Sequence, residues 1–242
     1  MAISVANSDR QEQFEKRKNL ITALLTRIKS RIRYYRTNVP LSGLALQVLV
    51  DVLAKMGILI QPYHLVAEGI QNAGPRPLAG ELAEYEIGFL GPHDMPALAA
   101  IPGRMVSLET LLSRLQEGKL CVGAKYRGEI VAFSWCNLTE CEMRSHRLSA
   151  LKDREAYLFD AHTLEHFRGR GIAPYLRYRC YEELAKLGRD QCYSITAVWN
   201  PPAAKFKEKL GARVLELGIL VTLFHRRRFH RQLRDYRRVK NA

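Results

Sequence analysis

The sequence lacks an uninterrupted apolar run long enough to cross a membrane. Its most apolar window, residues 41–60, contains Asp51 and Lys55, and a charge near the centre of a lipid-spanning helix is expensive. We therefore interpret this window as a buried helix. The first residues also lack the basic stretch and apolar stretch of a secretory signal. The sequence predicts no integral membrane segment.

Paired cysteines are also missing. The five cysteines form an odd set with no Cys-x-x-Cys pair, whereas a structural zinc site or a disulfide framework needs close or paired spacing. We expect free, buried thiols in a reducing compartment. The predicted location is the cytoplasm, and no metal site is predicted.

Internal repeats and long low-complexity tracts are absent too, and 47% hydrophobic with 26% charged residues excludes a disordered chain. A chain of 242 residues can form one large domain, or a smaller domain with an extension. The net charge of +14 is concentrated at the ends. Residues 1–38 hold nine Lys and Arg against three Asp and Glu, and residues 225–242 hold eight against one. Such ends attract anionic partners.

The first eighty residues are predicted to form a helical N-terminal extension. Apolar residues recur at helical spacing from Ile21 to Tyr35, with basic residues around them, and a second helix is predicted for residues 41–56. Two prolines and a glycine make residues 73–77 the best linker. The first helix fits an anionic membrane surface. It fits equally well a helix packed on the rest of the chain or on a second copy in a homodimer.

Residues 81–224 read as a second domain that mixes strands and helices. Alternation and turn residues predict strands at 85–90, 120–125, 130–136, 156–164, 192–199 and 214–224, and a loop at 137–155. Helices are predicted at 107–116, 171–187 and 201–210, each with a cap, proline or glycine at its boundary. The order indicates an α/β architecture.

A glycine-rich segment, Arg168-Gly169-Arg170-Gly171-Ile172-Ala173, follows a predicted strand and opens a predicted helix. Glycines allow a tight turn, and the first helical amides have no intrahelical acceptor. The helix dipole favours negative charge there, so the segment could bind a pyrophosphate with help from Arg168 and Arg170. The alternative is a glycine turn that only starts a helix.

Two motifs together resemble the GNAT N-acetyltransferase superfamily. The segment 168–173 has the Gln/Arg-x-x-Gly-x-Gly/Ala pattern of that family's acetyl-coenzyme A loop. Some thirty residues later, Asn200, Ala203, Phe206 and Lys209-Leu210-Gly211 resemble its second signature. The resemblance implies a mixed, mostly antiparallel central sheet flanked by helices. It also implies acetyl-coenzyme A as co-substrate and no metal.

The same resemblance implies roles for individual residues. Residues 168–173 would bind the pyrophosphate of coenzyme A, and Thr163 and Leu164 would pair with its pantetheine arm, with a backbone N–H near Leu164 stabilising the carbonyl oxygen. Asn200 corresponds to a residue that contacts this arm. Lys207 stands where many relatives have a tyrosine that protonates the departing thiolate. Its ammonium could donate a proton to the thiolate or stabilise it. Alternatively, Lys207 is a solvated lysine on a lysine-rich helix.

Transfer to an amine also needs a group that accepts a proton. Asp160 and His162 are two residues apart in a predicted strand, so they should share one face near the thioester. Histidine titrates close to neutral pH, which suits a base. The alternative is a hydrogen-bonded polar pair within the sheet.

Residues 225–242 are predicted to be a basic C-terminal tail. Its partner could be nucleic acid, an anionic membrane surface, an acidic carrier protein or nothing specific. The predicted function is acetyl transfer to a small-molecule or peptide amine. Two alternatives stay open: a longer-chain N-acyltransferase supplied by an acyl-carrier protein, and a non-catalytic protein of the same fold that binds coenzyme A or nucleic acid.

Overall fold

The computed structural model describes residues 50, 52–69, 84–104, 106–143, 146–224 and 226–237. The chain divides into two compact units, Met1–Gly57 and Ile58–Ala242. In the first unit, residues 52–55 are helical, which agrees with the end of the helix predicted for 41–56. The predicted first helix and the linker at 73–77 lie outside the described residues.

The second unit is built on an eight-stranded sheet. Its order is β10-β9-β1-β8-β7-β4-β3-β2, and the separate strands β5 and β6 form a hairpin. All neighbours in the large sheet are antiparallel except β7 and β8. In chain order the strands are β1 (Ile58–Glu68), β2 (Tyr85–Phe89), β3 (Leu120–Tyr126), β4 (Glu129–Asn137), β5 (Glu140–Met143), β6 (His146–Ala150), β7 (Glu155–Thr163), β8 (Gln191–Ala197), β9 (Arg213–Leu223) and β10 (Arg227–Asp235).

Helices cover both faces of this sheet. They are α1 (Met95–Ala99), α2 (Leu108–Gln116), α3 (Ile172–Lys186) and α4 (Pro201–Lys209). One core cluster joins the sheet to α3 through residues such as Leu158, Leu176 and Leu184. Another joins the opposite face to α1 and α2 through residues such as Leu98, Leu111 and Trp135. We call these the α3 face and the α1–α2 face. The predicted mixed, mostly antiparallel sheet flanked by helices is confirmed.

Two of the predicted domain boundaries are wrong. The sheet begins at Ile58, inside the region predicted to be a helical extension, because β1 pairs with both β8 and β9. The region predicted to be a basic tail holds β10, which pairs with β9 along most of its length. The loop predicted at 137–155 contains the β5–β6 hairpin.

A close contact seats β10 on the sheet. The Tyr63 side chain of β1 crosses β9 at Gly218, and its hydroxyl hydrogen-bonds to Nε2 of His230 at 2.5 Å. A Cβ at Gly218 would lie within 2.5 Å of the Tyr63 ring, so this position accepts only glycine. The buried Tyr63 side chain of β1 therefore contacts both β9 and β10.

Candidate active site

The only parallel pair in the described sheet separates partway along its length. Strands β7 and β8 pair from Glu155 and Gln191 to Leu158 and Ser194. Beyond that point β7 continues to Thr163 and β8 to Ala197 without further pairing to each other, while β8 stays paired with β1. The strands thus leave an opening between them, which is where the resemblance places the pantetheine arm.

A polar side chain without a partner stands at this opening. Thr196 lies in the separated part of β8 and is 4% exposed. Its hydroxyl oxygen is buried and makes no hydrogen bond. A buried hydroxyl without a partner is costly, so its presence here fits a group that a ligand satisfies. Sequence analysis missed it, since threonine in a strand is ordinary.

The glycine-rich segment directly follows β7. Gly169 and Gly171 have φ of 80° and 79°, which is the left-handed region that glycine adopts without strain. Gly171 is the N-cap of α3 and contributes no side chain to cap it, so the first amides of the helix face outward. Arg168 and Arg170 are exposed beside them. The predicted phosphate-binding residues 168–173 are thus together at a helix N-terminus.

Contacts at the end of β7 revise one detail of the prediction. The Leu164 N–H donates to the carbonyl of Val131 at 2.8 Å, so it is already used and cannot stabilise an acyl oxygen as expected. The Thr163 carbonyl accepts from Nε of Arg168 at 3.2 Å. Both residues still border the opening through their remaining backbone groups.

Asn200 follows β8 and caps α4. Its side-chain oxygen accepts a hydrogen bond from the Ala203 N–H at 3.3 Å, as N-cap residues do. This leaves the amide nitrogen as the side-chain group that could reach a ligand. The three-residue spacing from Asn200 to Ala203, which resembles the second signature, therefore also follows from helix capping.

A bulge in β7 determines where Asp160 and His162 lie. Phe159 pairs with Trp135 and His162 with Phe133, so Asp160 and Ala161 together face one residue of β4. Asp160 takes a φ of 45°. Bulges often redirect side chains near functional sites. The contacts of Asp160 and His162 lie on the α1–α2 face, so the two share a face as predicted.

The Asp160 carboxylate is held by two arginines. Arg104 donates to both oxygens at 3.0 and 2.9 Å, and Arg114 donates to one of them at 2.6 Å. Burial disfavours its charge, but these hydrogen bonds outweigh burial and lower the pKa of Asp160. A carboxylate so strongly paired is a poor base. This geometry favours a structural role, although its predicted role as base stays a prediction.

His162 is better suited to accept a proton. Its ring stacks on Phe133 with centroids 5.8 Å apart, and the Arg104 guanidinium lies over the same Phe133 ring. Burial lowers the pKa of His162, and the charges of Arg104 and Arg168 lower it further. The imidazole is therefore neutral at neutral pH and can act as a base. Its catalytic role stays a prediction.

Lys207 is buried, so the alternative of a solvated lysine is wrong. Its ammonium donates to Oγ of Ser194 at 2.5 Å and lies 3.6 Å from a carboxylate oxygen of Glu68. Lys205 and Lys209 of the same helix are exposed. Burial lowers the pKa of Lys207 to about 8, and Glu68 partly offsets that effect. The lysine faces the sheet where β7 and β8 separate.

The sequence did not predict the two buried charged residues near Lys207. Glu68 ends β1, in the region assigned to the helical extension. Arg177 lies in α3 among buried apolar residues, and this was the one signal that could have found it. A charged residue on the buried side of a helix needs a partner.

Among the described residues, no cluster of three or more His, Cys, Asp or Glu side chains could hold a metal ion. The five cysteines are buried and unpaired by disulfides. No helix in the described ranges is long and apolar enough to span a bilayer.

Comparison with known proteins agrees with this geometry. The family model of the acetyltransferase (GNAT) family matches residues 92–212, half of the chain. The chain therefore belongs to the GNAT acetyltransferase family. No curated protein matches it at a significant level.

Solved structures share its fold at low sequence identity. One is a Drosophila protein, 16% identical, with a TM-score of 0.50 over 77% of this chain and 59% of that one. Another is the glucosamine N-acetyltransferase region of a fungal multi-domain GH3 β-N-acetylglucosaminidase. It is 15% identical with a TM-score of 0.50 over 79% of this chain and 23% of that one. This chain thus spans less than two thirds of either protein, and the likeness is one of fold.

Proposed function

We propose that the chain transfers an acetyl group from acetyl-coenzyme A to a primary amine by direct attack. The observation that best supports this is the position of the glycine-rich segment. It follows the strand that separates from its parallel neighbour and caps a helix whose first amides face outward. A diphosphate on the helix and an extended arm between the strands would fit this arrangement.

The residues at the opening have distinct roles in this proposal. Amides of residues 168–173, with Arg168 and Arg170, bind the diphosphate of the donor, while Thr163, Leu164 and Asn200 border its pantetheine arm. His162 accepts the proton of the attacking amine. The protonated Lys207 side chain pairs with the thiolate of coenzyme A as it leaves. The new C–N bond forms as the C–S bond breaks, and the sulfur retains the bonding electron pair.

The acceptor is a small-molecule or peptide amine that enters from the α1–α2 face. A cleft of about 510 Å³ lies there, beside the end of β7. Its lining includes Ala97, Ile101, Pro102, Ile130 and Leu164, with His93, Asp94 and Glu129 also along it. An apolar cleft with a few polar groups is typical of small-molecule sites.

Calorimetric titration with acetyl-coenzyme A tests the donor site. We expect binding by the native protein and affinity lower by about 100-fold in an Arg168→Glu/Gly171→Glu variant, because two groups next to the diphosphate become anionic. The matched control is Arg127→Glu/Gly128→Glu. It makes the same changes in the turn between β3 and β4, where Gly128 has a positive φ as Gly171 does.

The outcomes separate the alternatives. If both variants bind acetyl-coenzyme A with equal affinity, the donor does not bind at the glycine-rich segment. A folded native protein that binds neither acetyl-coenzyme A nor coenzyme A would overturn the proposal and favour a carrier-protein donor or a non-catalytic role. Binding by the native protein would justify a screen of amine acceptors.

A further inference from the structure

An arginine-rich surface lies along β10, at the edge of the large sheet. Residues 226–237 hold six arginines against a single acidic residue, Asp235. Among the described strands β10 pairs only with β9, and eight of its nine residues are exposed. The proposed acetyl transfer gives this strand no role. A concentrated positive charge that is open to solvent attracts a polyanion.

The pairing of β10 with β9 determines which of its side chains share a face. Arg227, Phe229 and Arg231 are alternate residues that pair with alternate residues of β9, so they project from the same face of the sheet. Arg234 follows the bulge in β10 and returns to that face. We call these four residues the arginine row. The sequence alone could not group them, because β10 was predicted to be a tail.

The acidic residues near β10 lie on the opposite face from the arginine row. Asp235 follows Arg234 and pairs with Glu216, so both point to the other face. The Glu216 carboxylate lies 3.8 Å from the Arg237 guanidinium, which is outside the row. Within the described ranges, the three arginines of the row form no ion pair. Their positive charges are therefore available to an anionic partner.

An exposed aromatic ring stands between two of these cations. Phe229 is 54% exposed, and Arg227 and Arg231 are each about 7 Å from it along the strand. The ring offers a flat apolar surface for stacking, and a guanidinium group binds two phosphate oxygens at once. A single strand of nucleic acid presents both unstacked bases and phosphates, so its chemistry matches this alternation.

We propose that the arginine row binds single-stranded nucleic acid without sequence preference. A base stacks on Phe229, and phosphates pair with Arg227, Arg231 and Arg234. A duplex offers phosphates but no free base for the ring. Elements that bind a bilayer collect their apolar residues on one face, whereas here aromatic and cationic residues alternate within a face. Arginines along an exposed edge also discourage the addition of a peptide strand.

This surface is separate from the proposed donor site. Strands β9 and β1 lie between β10 and β8, and the donor arm is proposed to lie between β8 and β7. Saturating coenzyme A should therefore leave the binding of nucleic acid unchanged. Because the two sites share no residue, the inference and the proposed function can fail independently of each other.

Fluorescence anisotropy of a labelled oligo(dT) of about 12 nucleotides, titrated with the full chain, tests the proposal. We expect the native protein to bind oligo(dT) at least about tenfold more tightly than a duplex of the same length, because only the single strand can stack on Phe229. Oligo(U) of the same length should bind about as tightly as oligo(dT), because both offer bases and phosphates.

Replacing the three arginines of the row with glutamine isolates the phosphate contacts. Each lost contact makes the slope of log affinity against log salt concentration shallower by about 0.7, so the slope should change by about 2. At about 0.1 M salt this change corresponds to binding weaker by about 100-fold. The matched control, Arg127→Gln/Arg154→Gln/Lys186→Gln, removes the same charge from exposed residues elsewhere and should keep the native slope.

Phe229→Leu isolates the stacking contact. It should weaken oligo(dT) by about tenfold at an unchanged salt slope, because the lost contact carries no charge. A bilayer would accept leucine in place of phenylalanine, so this variant also separates the two kinds of partner. All substituted side chains are exposed, and an unchanged unfolding midpoint confirms that each variant is folded.

Three results would overturn the proposal. If the variant of the arginine row binds oligo(dT) with native affinity and slope, the nucleic acid binds elsewhere on the chain. If coenzyme A displaces oligo(dT), the oligonucleotide occupies the donor site. If the native protein binds vesicles of phosphatidylglycerol or a polyglutamate peptide but not oligo(dT), the partner of β10 is a membrane or an acidic protein.

Discussion

Asp160 is a single residue whose type suggested catalysis and whose surroundings indicate structure. Two guanidinium groups share its carboxylate across the α1–α2 face. We predict that Asp160→Asn lowers the free energy of unfolding by about 2–4 kcal/mol, because it leaves two partly buried cations without their anion. Thermal unfolding should show a Tm lower by about 5–15 °C. Asparagine tolerates the positive φ of this bulge, so the substitution isolates the charge.

Acidification provides the control for Asp160. Because its pKa is lowered in the folded state, the stability it contributes is present above the pKa of the unfolded chain and is lost as the pH falls through the folded value. The difference in Tm between native protein and Asp160→Asn should therefore shrink below about pH 4. Turnover per folded molecule should stay near the native value. If Asp160→Asn instead loses most of its turnover at an unchanged Tm, the role of Asp160 is catalytic and not structural.

Residue roles that depend on local pattern could be predicted from the sequence, and those that depend on distant partners could not. The glycine turn, the Asn200 cap and the start of α3 follow from neighbours along the chain. The burial of Lys207 depends on Glu68, and the Ser194 that links them is 126 residues from that glutamate. Nothing next to Lys207 in the sequence distinguishes it from Lys205 or Lys209, yet only Lys207 of the three is buried.

At the scale of elements, β10 shows why a strand can look like a tail. Eight of its nine residues are exposed, so the alternation of apolar and polar residues that identifies strands is missing. Dense arginine is also one way in which edge strands discourage pairing with other chains. The first strand, β1, was missed because it precedes the predicted linker although it pairs near the centre of the sheet.

Truncation tests whether β10 is part of the fold. A chain that ends at Phe224 loses eight residue pairs with β9 and the contact of Tyr63 with His230. We predict an unfolding midpoint lower by more than about 6 °C, equivalent to at least roughly 2 kcal/mol.

The truncation has two controls. A chain that ends at Arg237 keeps these contacts and should unfold at the native midpoint. Replacing Arg227, Arg231 and Arg234 with glutamine in the full chain separates the loss of charge from the loss of the strand. If the chain ending at Phe224 is as stable as the native chain, the segment is a dispensable tail.

At the scale of the whole molecule, the sheet separates the two proton-handling groups that the proposed reaction needs. His162 has its contacts on the α1–α2 face and must be neutral to accept a proton, whereas Lys207 is buried on the α3 face and must be protonated to pair with the thiolate. Burial lowers the pKa of both, so their active forms coexist only in a window. The window opens as the pH rises through the lowered pKa of His162 and closes as it passes about 8.

The pH dependence of kcat/KM should therefore be bell-shaped, rising below pH 6.5 and falling near pH 8. The acceptor amine must also be deprotonated, so its own ionisation would add to the rising limb. An acceptor with a pKa below about 4 keeps that ionisation out of the pH range of both limbs. His162→Gln should flatten the rising limb and lower activity by about 100-fold or more, and Lys207→Met should flatten the falling limb. Methionine has no proton to lose in this pH range. If the falling limb persists in Lys207→Met, the falling limb therefore reports the ionisation of another group. Since each substitution acts on one face, the opposite limb serves as its internal control.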